Sequence, residues 1–203
     1  MNEEKAKEKT KVTIWSSSHC AQKRKFPIYL QNLWLSQDKF DSPVINAIGG
    51  QRLTATLTSQ IIDSIKSSEN KPNVHVLILG DNDLRYGESV KTLIERFEQI
   101  IEHASLVSNC FVIICSLIHG RIFERCVKTE FFKLDRKLKI LCQTKPKFAR
   151  FVNLKQHLDK ETSYSSDCVH LNVSGTKNLA ETVFQAIWHA PNLVTEEALT
   201  SSA

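Results

Sequence analysis

Apolar residues along the chain occur in two alternating kinds of segment. Short, nearly continuous apolar runs predict β-strands that are buried on both faces. There are five such runs, namely Val12–Ser16, Val44–Ile48, the run from Val74 to Gly80, Phe111–Leu117 and Phe148–Leu154. Longer segments with apolar residues at i, i+3, i+4 and i+7 predict amphipathic helices between the strands. These segments are Phe26–Phe40, Leu53–Ser67, Glu88–Leu106, Arg121–Leu141 and Gly175–His189, the last with Ser174 as its N-cap.

This alternation predicts an α/β fold in which helices cover both faces of a parallel sheet. We expect the strand order 2-1-3-4-5, because it places the ends of the first and third strands together at the switch point of the sheet. The third run is followed at once by Asp81, Asn82 and Asp83. Ligands of open α/β sheets bind at the carboxyl ends of the strands, so these polar residues mark the expected site.

Length and composition favour one globular domain. The 203-residue chain is 41% hydrophobic, and we expect a domain over residues 12–190 with a charged N-terminal tail at 1–11 and a C-terminal tail at 191–203. No apolar run approaches the roughly 20 residues that span a bilayer, and the N-terminal tail lacks the apolar core of a secretory signal. The six cysteines contain no CxxC pair, and the histidines have no metal-binding spacing. We therefore expect an intracellular, cytoplasmic protein without a metal site.

Polar residues at four places near the predicted strand ends together suit acyl transfer. Ser18 supplies a hydroxyl that becomes a nucleophile once a base removes its proton. His170 is the candidate base, and Asp167, three residues earlier, is the candidate group that orients its imidazole. A backbone N–H at Gly50 and the side-chain amide of Asn82 are candidate donors to a developing oxyanion.

The order of these residues resembles that of the SGNH, or GDSL-type, hydrolases, which are named for Ser, Gly, Asn and His in four sequence blocks. The corresponding blocks here are IWSSSH, AIGGQ, LGDND and DCVH, with Gly49 as an alternative to Gly50 in the second. The resemblance extends from Val12 to Trp188. It implies a three-layer α/β/α, flavodoxin-like fold with a five-stranded parallel sheet. It also implies hydrolysis of a small acyl or acetyl ester, with no metal or other cofactor.

The first block departs from the Gly-Asp-Ser that is usual in that family, because this chain has Ser16-Ser17-Ser18. The change alters the turn that presents the nucleophile, so either Ser17 or Ser18 could be the exposed serine. His19 follows directly and is either a surface residue or part of the site. Two functions stay open, an active esterase and a catalytically silent binding module with the same fold.

Positive charge is concentrated late in the chain. The formal net charge is +5, but eleven Lys or Arg residues and only three acids lie in residues 121–155, a local excess of eight. Lys133, Arg136, Lys137 and Lys139 are the candidate contacts of this stretch for RNA or single-stranded DNA. We expect them to lie away from the catalytic edge of the sheet.

Two groups of proteins with a similar fold bear on the choice between an enzyme and a binding module. Some non-LTR retrotransposon proteins contain an esterase domain of this type. The OSK domain of insect Oskar proteins looks like the same fold and binds RNA without hydrolysis. These resemblances imply a small ester as the partner of the first function and RNA as the partner of the second.

Overall fold

The computed structural model describes residues 9–21, 25–35, 37–67, 71–118, 128–159 and 161–190. Its five strands form a parallel sheet with the order β2-β1-β3-β4-β5, which confirms the predicted order. The strands are β1 (Lys11–Ser16), β2 (Val44–Ala47), β3 (Asn73–Ile78), β4 (Cys110–Cys115) and β5 (Ala149–Val152).

Helices cover both faces of this sheet, as the alternating pattern predicts. They are α1 (Phe26–Trp34), α2 (Ala55–Lys66), α3 (Asp81–Arg85), α4 (Val90–Leu106), α5 (Lys128–Thr144) and α6 (Val173–Trp188). Helices α1 and α6 pack together in one hydrophobic cluster, whereas α2, α4 and α5 form the other. The three layers confirm the expected α/β/α fold.

Two predicted helix boundaries are wrong. Helix α1 ends at Trp34 rather than Phe40, because the chain turns back and Phe40 forms a parallel bridge with Thr10 beside the sheet. The N-cap of α6 is Asn172 rather than Ser174, since the Asn172 Oδ1 accepts a hydrogen bond from the Gly175 N–H at 2.9 Å. Asparagine is one of the best N-cap residues, and here it starts the helix earlier than predicted.

The turn from β3 into α3 depends on a glycine. Gly80 has a φ of +109°, a backbone conformation that side chains with a Cβ rarely adopt. A Cβ at this position would lie 3.2 Å from Leu117 and 3.3 Å from Leu134. Gly80 therefore lets the chain turn sharply, so that Asp81, Asn82 and Asp83 form the first turn of a short helix at the strand end.

Several expectations fall on residues outside the described ranges. These are residues 1–8 of the N-terminal tail, the C-terminal tail at 191–203, and the start of the predicted basic helix at 121–127. Within the described ranges, no helix is long and apolar enough to cross a membrane. The five cysteines of those ranges are free thiols, and four of them are buried.

One histidine lies in the buried centre of the sheet. His75 on β3 is fully buried, and its Nδ1 accepts a hydrogen bond from the Trp15 Nε1–H at 3.3 Å. Burial, with a smaller contribution from the positive charge of Lys11, lowers the pKa of His75 to about 3. The imidazole is therefore neutral in the folded protein at any pH well above 3.

We predict that this histidine makes the fold sensitive to acid. The unfolded chain binds a proton on His75 below pH ~6.5, whereas the folded protein does not, so stability falls as the pH drops from about 6.5 towards 3. Between pH 6.5 and pH 5 the loss attributable to His75 is about 2 kcal/mol. Urea unfolding at these two pH values should show a smaller loss in His75→Gln, which keeps an acceptor for Trp15.

The control is His103→Gln, which changes a histidine on the outer surface of α4 whose ring contacts the Gln99 carbonyl. It should leave the pH dependence unchanged. An equal pH dependence in His75→Gln and the parent protein would contradict the prediction.

Candidate active site

Strands β1, β2 and β3 end at the same height in the sheet. Ser16, the last residue of β1, pairs with Ala47 on β2 and with Ile78 on β3. Its carbonyl also accepts a hydrogen bond from the Ile48 N–H at 3.2 Å, one residue beyond β2. The residues that follow these three strands therefore leave the sheet at one edge.

The structure distinguishes the serines that follow β1. Ser17 is 1% exposed, whereas Ser18 is partly exposed at the start of a short 3-10 turn, Ser18–Cys20. The hydroxyls of Ser16 and Ser17 are buried and have no hydrogen-bond partner in the described part of the chain. Ser18 is thus the most exposed of the three adjacent serines.

Asp167 and His170, the predicted acid–base pair, are in direct hydrogen-bond contact. The Asp167 Oδ2 lies 2.8 Å from the His170 Nδ1, and the Asp167 Oδ1 accepts the backbone N–H groups of Val169 and His170, each at 2.9 Å. The hydrogen bonds from the His170 backbone and ring, followed by that from Val169, hold the pKa of Asp167 well below its usual range.

The low pKa of Asp167 sets the tautomer of His170. An ionised carboxylate only accepts hydrogen bonds, so the His170 Nδ1 must carry the proton of the 2.8 Å contact. The neutral ring then has an unprotonated Nε2, which is the form that takes a proton from a nucleophile.

Hydrogen bonds attach the loop that contains Asp167 and His170 to the start of α6. The Asn172 side-chain amide donates to the carbonyls of Thr162 and Tyr164, and the Asn172 backbone N–H donates to the Ser163 carbonyl. A Cβ at Gly175 would collide with the same Ser163 carbonyl, so glycine is required where the loop lies against the helix.

The candidate oxyanion donors lie in helix α3 and in the loop after β2, which contact each other. Asn82 is buried in α3, and its Nδ2 donates to the Gln51 carbonyl at 3.1 Å. Gln51 directly follows Gly49 and Gly50, which are exposed, and Gly50 has a φ of +73°. One hydrogen bond therefore connects Asn82 with the loop of the second sequence block.

His19 belongs to the site rather than to the surface. It is 4% exposed, its Nε2 lies 3.8 Å from the Asp81 Oδ2, and its ring centroid lies 6.0 Å from that of His170. Burial raises the pKa of Asp81 to about 6, and the charge of Asp83 acts in the same direction. Neither the burial of His19 nor its contact with Asp81 was predicted, because a single polar residue after a strand has no periodicity that reports its orientation.

The described residues bring the loop of His170 against the turn that begins at Ser18. The 6.0 Å separation of the His19 and His170 rings shows this approach. No hydrogen bond joins Ser18 to His170 in the described ranges, so the role of Ser18 as nucleophile stays a prediction. Apo active sites often have such open geometry. The same ranges contain no group of three His, Cys, Asp or Glu side chains that could hold a metal ion.

Solved structures with the same architecture cover nearly the whole chain. A lipolytic protein of the G-D-S-L family from Veillonella parvula superposes with a TM-score of 0.70 at 13% identity, over 89% of this chain and 99% of its own. This chain has the SGNH-hydrolase fold. An acetyl-xylooligosaccharide esterase from Geobacillus stearmophilus is equally similar, with a TM-score of 0.70, 13% identity, and coverage of 95% and 96%.

A third similar structure is the aryl esterase of M. smegmatis, with a TM-score of 0.68, 10% identity, and coverage of 89% of this chain and 99% of the enzyme. No protein-family model matches the sequence. A search of curated proteins also found no match. The SGNH-hydrolase fold of this chain is therefore supported by its three-dimensional structure at low sequence identity.

The geometry of Asp167 and His170 predicts the reactivity of Ser18. A fluorophosphonate probe, which labels activated serines, should modify Ser18 in the parent protein. Asp167→Asn should slow this labelling by roughly 10²-fold or more, because His170 loses the carboxylate that sets its tautomer and stabilises its charged form. Mass spectrometry of the labelled peptide measures the rate.

Asp63→Asn is the matched control, since Asp63 is exposed on α2 on another side of the fold. It should label at the parent rate. Equal labelling rates in Asp167→Asn and the parent protein would remove Asp167 from the site.

Proposed function

We propose that this protein is a serine esterase that hydrolyses a small acyl or acetyl ester. The observation that supports it best is the Asp167–His170 pair, whose ring lies beside the turn that presents Ser18. The named activities of the similar structures agree with this chemistry, since they include an acetyl-xylooligosaccharide esterase and a carbohydrate acetylesterase. We propose a small acyl group because both of these similar enzymes are named for acting on acetyl groups.

The proposed reaction has two steps. The Ser18 Oγ attacks the ester carbonyl while the His170 Nε2 takes its proton, and Asp167 stabilises the resulting imidazolium. The Gly50 N–H and the Asn82 amide donate to the oxyanion of the tetrahedral intermediate. This intermediate releases the alcohol, which receives the proton from His170, and leaves an acyl group on Ser18. A water molecule, deprotonated by His170, then releases the acid and regenerates the hydroxyl.

The proposal predicts a difference between neighbouring serines. Ser18→Ala should reduce the hydrolysis of p-nitrophenyl acetate to the background rate, because it removes the nucleophile. Ser17→Ala should retain the parent rate within about threefold, because the Ser17 hydroxyl is buried and has no partner in the described residues. Release of p-nitrophenolate measures both rates.

Two outcomes would contradict the proposal. A parent protein with no activity above that of Ser18→Ala on short p-nitrophenyl esters would not be an esterase of small acyl groups. A Ser17→Ala variant that loses all activity while Ser18→Ala retains it would assign the nucleophile to Ser17.

A second function is favoured by the outer surface of α5. We propose that this surface binds single-stranded RNA or DNA, either beside the hydrolase activity or in its place. Lys133, Arg136, Lys137 and Lys139 are all exposed on α5, where Phe132 is 49% exposed. Cations that neutralise phosphates and an aromatic ring are the usual combination for single strands. The Lys155 Nζ lies 4.7 Å from the Phe132 ring centroid, so a base would have to stack beside this cation or displace it.

Two contacts describe the α5 surface further: one reduces its positive charge, and the other shows where the helix lies relative to β4. Lys133 pairs with Glu130 at 2.7 Å, so part of its charge is already compensated. Asp135 accepts the Leu117 N–H just beyond β4, at 3.0 Å. The first half of α5 therefore lies beside the catalytic edge, and the expectation that the basic helix lies away from it is wrong.

We predict weak binding that depends strongly on salt. Fluorescence anisotropy with labelled single-stranded RNA and DNA should show affinity that falls as salt rises, because neutralised phosphates release counterions. Replacing Lys133, Arg136, Lys137 and Lys139 with Gln should abolish binding at low salt, and Phe132→Ala should weaken it by roughly tenfold. Ester hydrolysis should not change in the four-fold variant.

Lys91→Gln and Lys177→Gln, each of which removes one exposed positive charge on α4 or α6, are the controls for loss of charge elsewhere on the surface. They should leave the affinity within about twofold of the parent value, because they lie outside the α5 surface. Absence of binding at low salt would contradict this second proposal. Binding without hydrolysis, unchanged in Ser18→Ala, would identify a catalytically silent binding module.

A further inference from the structure

Asn82 contacts one group at each end of its side-chain amide. The Nδ2 donates to the Gln51 carbonyl at 3.1 Å, and the Oδ1 accepts from the Arg85 Nη1 at 3.1 Å. Asn82 and Arg85 are three residues apart in α3, so both side chains lie on the same side of the short helix. The Gln51 carbonyl belongs to the loop of Gly49 and Gly50.

These two contacts allow only one orientation of the amide. A guanidinium only donates and a carbonyl only accepts, so a flipped Asn82 would place its NH2 against Arg85 and its oxygen against the Gln51 carbonyl. Both contacts would then be repulsive. Without Arg85, only the contact with the Gln51 carbonyl would favour this orientation of the amide over the flipped one.

We infer that Arg85 is a positioning residue that holds the Asn82 amide in the orientation required of an oxyanion donor. Asn82 has two N–H groups, and the Gln51 carbonyl takes one of them, so the second remains for the substrate. The positive charge of Arg85 on the Oδ1 also polarises the amide, which strengthens its N–H groups as donors. Arg85 would therefore act through Asn82 and would not need to touch the substrate.

This inference rests on the proposed esterase function, and its kinetic test compares kcat with KM. An oxyanion donor acts mainly in the transition state, so Arg85→Gln should lower kcat for p-nitrophenyl acetate by about tenfold with little change in KM. Arg85→Lys keeps a cationic donor and should recover part of the loss. Arg85 also lowers the pKa of Asp81, which is about 6, so its removal raises that pKa. The assays are therefore done at pH 8, where Asp81 is ionised in the parent protein and the shift has least effect.

Arg52→Gln is the charge-matched control. Arg52 directly follows Gln51, and its Cζ lies 5.3 Å from the Tyr86 ring centroid, so it carries the same charge as Arg85 close to the same helix. Its Nε also lies 3.9 Å from the Oδ1 of the buried Asp83, so urea unfolding checks that Arg52→Gln keeps the parent stability. The charge loss is equal, but the contact with Asn82 is kept. We expect its kcat to stay within about threefold of the parent value.

A double-mutant cycle shows whether Arg85 acts through Asn82. Asn82→Ala should lower kcat by about 10²–10³-fold, the usual cost of one oxyanion donor. Arg85→Gln in that background should cause no further loss, because its target is gone. Additive losses, equal losses in Arg52→Gln and Arg85→Gln, or an effect on KM alone would each overturn the inference.

A measurement without substrate separates this inference from the proposed function. NMR shows which neighbour the Asn82 NH2 group faces: NOEs from its two protons should connect to the Gln51 loop and not to residue 85 in the parent protein, and to both in Arg85→Gln, where the amide can flip. A parent protein without hydrolysis would refute the esterase proposal and leave this measurement to decide the role of Arg85. The same NOE pattern in the two proteins would overturn that role.

Discussion

The register of three parallel strands determines where the polar residues of the site leave the sheet. Ser16, Ala47 and Ile78 lie side by side, so the chain segments after β1, β2 and β3 start from one row of backbone hydrogen bonds. A shift of one residue in any of these strands would turn its side chains to the opposite face and displace the following loop. Every residue of β3 is buried, so a shift there would misfit its side chains against the helices that are closely packed on both faces. Core packing thus determines the position of the site even though the site itself is polar.

Features that arise from local sequence were predictable, and those that depend on distant contacts were not. The parallel sheet with helices on both faces follows from the alternation of strands and helices, and the contact between Asp167 and His170 follows from their spacing of three residues. The contact between Asn82 and the Gln51 carbonyl joins residues far apart in the sequence, so no local pattern indicates it. The end of α1 at Trp34 has the same explanation, because it depends on the bridge between Thr10 and Phe40.

The end of β1 contains more buried polar groups than packing alone would favour. The hydroxyls of Ser16 and Ser17 have no partner in the described ranges, and the neighbouring His19 lies beside Asp81, whose carboxyl is also buried. Each buried polar group without a hydrogen bond costs roughly 1–3 kcal/mol. A stabilising substitution is therefore expected at Ser17, where removal of the hydroxyl leaves no broken contact. The same reasoning does not extend to Ser18, which is partly exposed.

The hydrogen bonds of the Asp167–His170 pair lie within four consecutive residues, and this short loop is attached to α6 rather than to the sheet. The internal geometry of the pair is thus independent of the length of the segment between β5 and the loop. Insertions or deletions before Thr162 would lengthen or shorten that segment without moving the pair, because the loop is hydrogen-bonded to the start of α6 and α6 packs against α1. The chain between β5 and Thr162 can therefore vary in length while the pair keeps its place beside the turn of Ser18.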